Sequence, residues 1–243
     1  MFRALRPGFV AVFVLTTAVA ADQERVQLVR TPKAGTTLRY QVQGRMDVTM
    51  NGATVLFELK GIDRYAIKAV AANGDVTLIN DTESATMSMN GQPTEPDQSM
   101  FTPNTIVTRK DNSLISITGP NGPELDDGRL FYATHIVFSD KPVGVGDKWT
   151  RNVAADAAHG VAAGTGTYEV VAFEKVGAID TVKIQMTFQE KDGASPVKAT
   201  CTFWVERATG ADVKADGRIE NFPPVVELGG SGALELHMVR IGG

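Results

Sequence analysis

Few side chains in this sequence are of a type that does covalent or metal chemistry. There are three histidines, His135, His159 and His237, and one cysteine, Cys201. A metal site needs ligands at short helical or hairpin spacings, and no histidine here has such a neighbour. His135 falls in the apolar run 130–138, where a hydrogen-bonded core histidine is expected rather than a ligand. His159 sits in Ala- and Gly-rich sequence, and His237 on the polar phase of the last alternating segment. Cys201 is in phase with Ala199 and Phe203 and shows no cue for a lowered pKa, so it is expected in the core. Gly229-Gly230-Ser231-Gly232 approaches a nucleophile elbow, but Ala233 stands where the last glycine is needed, and a strand rather than a helix follows. Glu124, Asp126 and Asp127 lack the ordered ligand spacing of a calcium loop. Gly144-Val145-Gly146 is too short for a phosphate-binding loop. No catalytic residue, metal site or cofactor is expected, and the chain reads as non-enzymatic.

What remains is the chemistry of apolar surfaces. Met46, Met50, Met87, Met89, Met186 and Met238 fall on strand-like segments. Methionine suits adaptable pockets and also serves as ordinary core filler. The segment Gln92 to Asn104 carries Pro93, Pro96 and Pro103, and with them the apolar pair Met100-Phe101. Connections of this length are often lids or binding segments. The candidate ligand-contacting residues are therefore Met100, Phe101, Met87 and Met89. Two readings stay open. The first is an exported binding protein that holds an apolar or lipid-like ligand in a sheet concavity, with Met100 and Phe101 closing its mouth. The second is a structural or interaction protein of the cell envelope with a filled core, in which the same pair covers a sheet edge. An empty apolar cavity separates the two.

The elements that would position such a surface are strands. Leu38, Tyr40, Val42, Met46, Val48 and Met50 alternate with polar residues over a long run, the period of a half-buried antiparallel strand. Asn51-Gly52, Asn73-Gly74 and Asn90-Gly91 are hairpin turns between alternating runs. Gly61 is expected at a bulge. Arg25 to Arg30 reads as a short strand, and the three prolines of 92–104 read as excluding regular pairing. Further on, Val182, Ile184, Met186 and Phe188 alternate, then Val197 to Val205, then Leu234 to Met238, with turns at Val176-Gly177, Asp192-Gly193, Thr209-Gly210 and Asp216-Gly217.

One segment departs from this pattern. In 130–138, Leu130, Ala133, Ile136 and Val137 fit a helical stripe, with Glu124, Asp126 and Asp127 suited to its N-terminal end. The β-branched and aromatic content fits a buried strand as well. A short helix is the reading adopted. The stretch Asp140 to Trp149 then forms a seam, with Pro142, Gly144 and Gly146 breaking regular structure and Trp149 expected as a large apolar anchor. Similar patterns on the two sides admit pseudo-repeats over 32–139 and 140–243, although alternating strands resemble one another in any case. The expected fold is mainly β: one large curved antiparallel sheet or open half-barrel, with one short helix on its concave face.

The N-terminus bounds the compartment. Arg3 and Arg6 precede the uncharged run Phe9 to Val19, and small residues around Ala20 and Ala21 provide a cleavage site. That is the layout of a secretory signal peptide, 1–21, and the run is shorter than the ~20 residues that span a bilayer. The exported chain 22–243 is expected as a single β-rich domain with no stable membrane insertion. Losing Arg3 and Arg6 takes Lys plus Arg from 24 to 22, against 28 acidic residues, a formal charge near −6. With no basic run, nucleic acid is not an expected partner. A protein partner is not indicated either way. A single cysteine allows no internal disulfide, so the fold rests on its core. In this pattern the chain resembles the half-barrel proteins of bacterial envelopes, such as the periplasmic lipoprotein carriers, and Gly146-Asp147-Lys148-Trp149 resembles a recurring opening in uncharacterised exported bacterial proteins. That resemblance implies a curved sheet whose concave face binds acyl chains. No ligand-contacting residue of the carriers matches a numbered position here, and likeness of fold does not establish function.

Overall fold

The computed structural model describes residues 24–50, 52–222 and 230–242. Residues 1–21, read above as a signal peptide, lie outside them with Asn51 and Gly229, as does the side chain of Met50. The strands are β1 (Thr37–Met50), β2 (Ala53–Val70), β3 (Val76–Met89), β4 (Gln92–Thr94), β5 (Asn104–Thr108), β6 (Leu114–Gly119) and β7 (Gly122–Pro123). After helix α1 (Leu125–Thr134) come β8 (Lys148–Val153), β9 (Gly164–Val176), β10 (Ile179–Glu190), β11 (Lys198–Glu206), β12 (Asp212–Glu220) and β13 (Ser231–Gly242). All join one antiparallel sheet in the order β7-β6-β5-β3-β2-β1-β13-β12-β11-β10-β9-β8, with β4 on β3. The last strand lies beside the first, so β1 and β13 form the middle of the sheet. β7 and β8 are the free edges, and the sheet is an open curve rather than a closed barrel.

Period-2 alternation builds this sheet. In β10, Val182, Ile184, Met186 and Phe188 are buried, with exposed residues at 185, 187 and 189 between them. In β11, Ala199, Cys201, Phe203 and Val205 face the same core. Trp204 is also buried, from the convex side, where Lys183 and Lys214 lie 4.8 and 4.4 Å from its ring and Glu174 accepts its indole N–H. Asn90 and Gly91 both take positive φ, 51° and 76°, as a two-residue hairpin turn with the right twist demands.

Several local expectations need correction. Residues 25–30 make no strand: Val26 forms an isolated bridge with Val143, and the segment crosses between the halves of the sheet, with Arg30 N–H on Lys110 O and Thr31 N–H on Thr209 O. Pro93 does join the ladder, opposite Ser88 in the three-residue β4, because an edge position asks for no second N–H donor. The register of β2 against β3 shifts between Ile62 and Asp63 and again between Ile67 and Ala69, rather than at Gly61. Asp216-Gly217 is no turn but mid-strand in β12. A Cβ on Gly217 would lie 2.4 Å from Cys201 Sγ, so close packing against β11 sets that glycine.

The helix starts five residues earlier than its apolar stripe, and Asp126 and Asp127 occupy its first turn, where the helix dipole favours them. It packs against β6, β10 and β11, on the concave side. Arg129 anchors it there: its Nε and Nη2 donate to the two carboxylate oxygens of Glu190, each at 2.9 Å, and Nη2 also reaches Ser195 O at 3.1 Å. Residues 136–138 then run extended and buried. Side chains and loops serve their backbone: Asn112 donates to Ile136 O, Trp149 Nε1 to Val137 O at 2.8 Å, and Arg151 to Phe138 O. Trp149 is half-buried on the edge strand β8, stacked on Tyr168 at 5.1 Å, and is therefore a flank of the core rather than its centre.

Candidate functional site: an apolar cavity with a polar end

Between the concave sheet and α1 lies a cavity of about 260 Å³, close to the lower end of the ~300–1,000 Å³ typical of small-molecule pockets. Its wall is mainly apolar. Leu38, Ile67, Leu78 and Ile106 come from the first half of the sheet, Phe203 and Met238 from the second, and Leu130 and Phe131 from the helix. Alternation explains this lining, since each of these strand residues is on the inward phase of its strand.

The polar groups divide between two ends. The ladder places Thr108 opposite Val76 and Asn104 opposite Asn80, so Thr108 and Asn80 stand about 13 Å apart along the sheet. At the Asn80 end Asn104 donates to the exposed Asp127 of the first turn of the helix, and Tyr65 stands opposite Asn80 on the ladder. Burial pushes the Asp63 carboxyl pKa up; Thr82 donates a hydrogen bond to Asp63 and opposes the shift. Arg30 lies at the Thr108 end, its backbone N–H on Lys110 O, while Tyr40 stands directly opposite Asp63 on the ladder, with Asp212 and His135 also on the cavity. Tyr40 donates to Asp212 O at 2.9 Å and meets Tyr65 edge to face at 5.2 Å. Burial pushes both phenols well above the usual range. His135 stacks on Phe131 at 4.2 Å, its Nδ1 bonded to Thr134 Oγ1 and Phe131 O, and burial lowers its pKa. Cys201 faces Ala133 O at 3.6 Å, and burial pushes its thiol up to about 12. Tyr40, Tyr65, His135, Asp63 and Cys201 are thus all biased towards their neutral forms, as an apolar interior requires.

Three side-chain atoms on this cavity are buried without a hydrogen-bond partner: Arg30 Nε, Thr108 Oγ1 and Asn80 Oδ1. Sequence reading passed over all three. A cue for Arg30 was present: it lies in phase with Val26 and Leu28, the phase that is buried.

The residues first put forward as ligand contacts lie elsewhere. Met100 and Phe101 end a 3-10 turn, Gln98–Phe101, that packs on β3. Both are half-buried, and neither borders the cavity. Met87 and Met89 sit seven and nine residues beyond Asn80 on β3, and Met89 is 43% exposed. Met238 does line the cavity, and Met186 is core. His159 pairs with Asp156 away from the cavity, and His237 pairs with Asp216, which borders it. Among the described residues no helix is long and apolar enough to cross a membrane, and no cluster of metal-ligating side chains occurs.

No family model matches the chain, and no curated protein matches it. Solved structures do overlap with it at low identity. One is a protein with a YmcC-like fold from Bacteroides fragilis, at 13% identity and TM-score 0.37, covering 88% of this chain and 97% of that one. Another is the hypothetical lipoprotein YmcC of Escherichia coli, at 12% identity and TM-score 0.33, covering 88% and 91%. A third, a DUF1329 family protein from Desulfovibrio piger, has 12% identity and TM-score 0.22, covering 86% and 88%. At these values the likeness carries no argument about activity, which rests on the site itself.

Proposed function

We propose that this chain is an exported, non-enzymatic binding protein that holds an apolar, lipid-like molecule in the cavity between its concave sheet and helix α1. The observation that carries the reading is the cavity: about 260 Å³, walled mainly by aliphatic and aromatic side chains. A protein whose only role was structural would gain by filling it, since each buried methylene adds about 0.8 kcal/mol. The surrounding chemistry fits holding rather than turning over a ligand, because His135 and Cys201, the imidazole and thiol facing the space, are biased to neutral forms and among the described residues Cys201 Sγ bonds a backbone carbonyl rather than a base.

The test is uptake of a neutral apolar fluorophore, N-phenyl-1-naphthylamine, by the exported chain and by Ala215→Phe, which places a ring into the cavity from β12. Saturable fluorescence enhancement with the parent and its loss in the folded variant is the expected pair of results. No enhancement with the parent removes the carrier reading and leaves an interaction protein of the envelope.

A further inference from the structure

The orphaned polar atoms at the closed end of the cavity bear on the class of ligand. Arg30 is 8% exposed, and a guanidinium does not lose its proton in a protein. A buried charge must be paired or hydrogen-bonded. Among the described residues Arg30 makes no ion pair; its side chain reaches Gly210 O at 3.3 Å through Nη1, and Nε has no partner. Thr108, 2% exposed, has an unpartnered hydroxyl. The two are neighbours, because the Arg30 backbone N–H bonds Lys110 O, two residues past Thr108. Both face the cavity. Asp212 and Asp63 are the acids that act on Tyr65 together with Arg30, Asp63 standing opposite Tyr40 on the ladder, but among the described residues neither forms an ion pair with Arg30.

We propose that the cavity takes a carboxylate amphiphile, with its head between Arg30 and Thr108 and its chain along the apolar wall. This rests on the carrier reading and gives it a substrate class. A carboxylate accepts both fork hydrogen bonds of an arginine and a third from a hydroxyl. Near Asn80 the cavity instead presents Asp127, hydrogen-bonded by Asn104, and the Asp127 carboxylate opposes an anionic head there. The ~13 Å between Thr108 and Asn80 gives the chain its run.

Decanoic acid, decanol and decylamine share a chain and differ in the head, so they separate this proposal from the carrier reading without any variant. Binding is measured by titration calorimetry on the delipidated exported chain at neutral pH. The acid is expected to bind at least tenfold more tightly than the alcohol or the amine. Arg30→Met should erase that preference, lowering the affinity for the acid at least ~tenfold and that for decanol by less. Thr108→Val, a gentler change, should weaken the acid several-fold and the alcohol less. If acid and alcohol bind equally to the parent, water alone serves Arg30 and the proposal falls while the carrier reading stands. If the amine binds best, the carboxylates of the cavity select the ligand and the proposal is reversed. If none of the three binds and the neutral fluorophore is also refused, both readings fail together.

Discussion

Replacing Arg129 with Met should be among the most costly single changes in the molecule outside its core. Glu190 is 1% exposed and its carboxylate accepts two hydrogen bonds from Arg129 and one from Val197 N–H at 2.7 Å. Removing the guanidinium leaves a buried carboxylate with only the backbone bond from Val197. Breaking a buried ion pair from one side costs about 3–5 kcal/mol, a large part of the ~5–15 kcal/mol that holds a typical fold. At about 2–4 °C per kcal/mol, the thermal midpoint should fall by roughly 6–20 °C. Glu190→Gln keeps an acceptor for Arg129 and for Val197 N–H and should cost less. The double variant should be more stable than Arg129→Met alone, because the unpaired buried charge is gone. Urea unfolding followed by the fluorescence of Trp149 and Trp204 measures all three. Strict additivity would mean that the pair does not hold the helix to β10, and that α1 is kept on the concave face by apolar contact alone.

Four further outcomes follow from the same coordinates. Trp149→Ala should cost about 2–3 kcal/mol, below the ~3–5 of a fully buried aromatic, since Trp149 is only half-buried on an edge strand; urea midpoints check this. Gly217→Ala should destabilise by about 1–3 kcal/mol through the clash with Cys201 Sγ, and Cys201→Ala in the same chain should restore most of it, as thermal melts would record. The Cys201 thiol should react slowly with a thiol reagent in the native state and fast in denaturant, because it is buried and its pKa is pushed up to about 12; rapid native labelling would mean that β11 faces the other way. Asp63→Asn should stabilise the fold near neutral pH. The folded state raises the Asp63 pKa by burial, so its charged form opposes folding above that pKa, and the gain should shrink as pH falls towards the unfolded value of about 3.9.

The sheet was legible wherever one face is core and the other solvent. In β1 and β10 the buried residues fall on alternate positions, and Asn-Gly pairs mark the hairpins, because both signals are local. Signals overridden by contacts from distant residues were misread. The apolar stripe places the helix at 130–138, yet it spans Leu125–Thr134: a Cβ at Gly128 would lie 1.7 Å from His159 O, so a close approach by a distant segment sets its first turns. Gly217 was misread for the same reason. The cavity depends on which inward residues stop short of filling the space between sheet and helix, a property of side-chain volumes across six or more strands that no local period carries. Apolar type alone drew attention to Met100 and Phe101, whereas the informative residue was the charged Arg30 on an apolar phase.

The most direct test of the account is native mass spectrometry of the exported chain, purified without detergent and then mixed with decanoic acid. The account predicts a complex of one chain with one acid, formed at the expense of any heavier species carried from the cell and lost in Ala215→Phe. A spectrum holding only the bare polypeptide mass, before and after mixing, would contradict it.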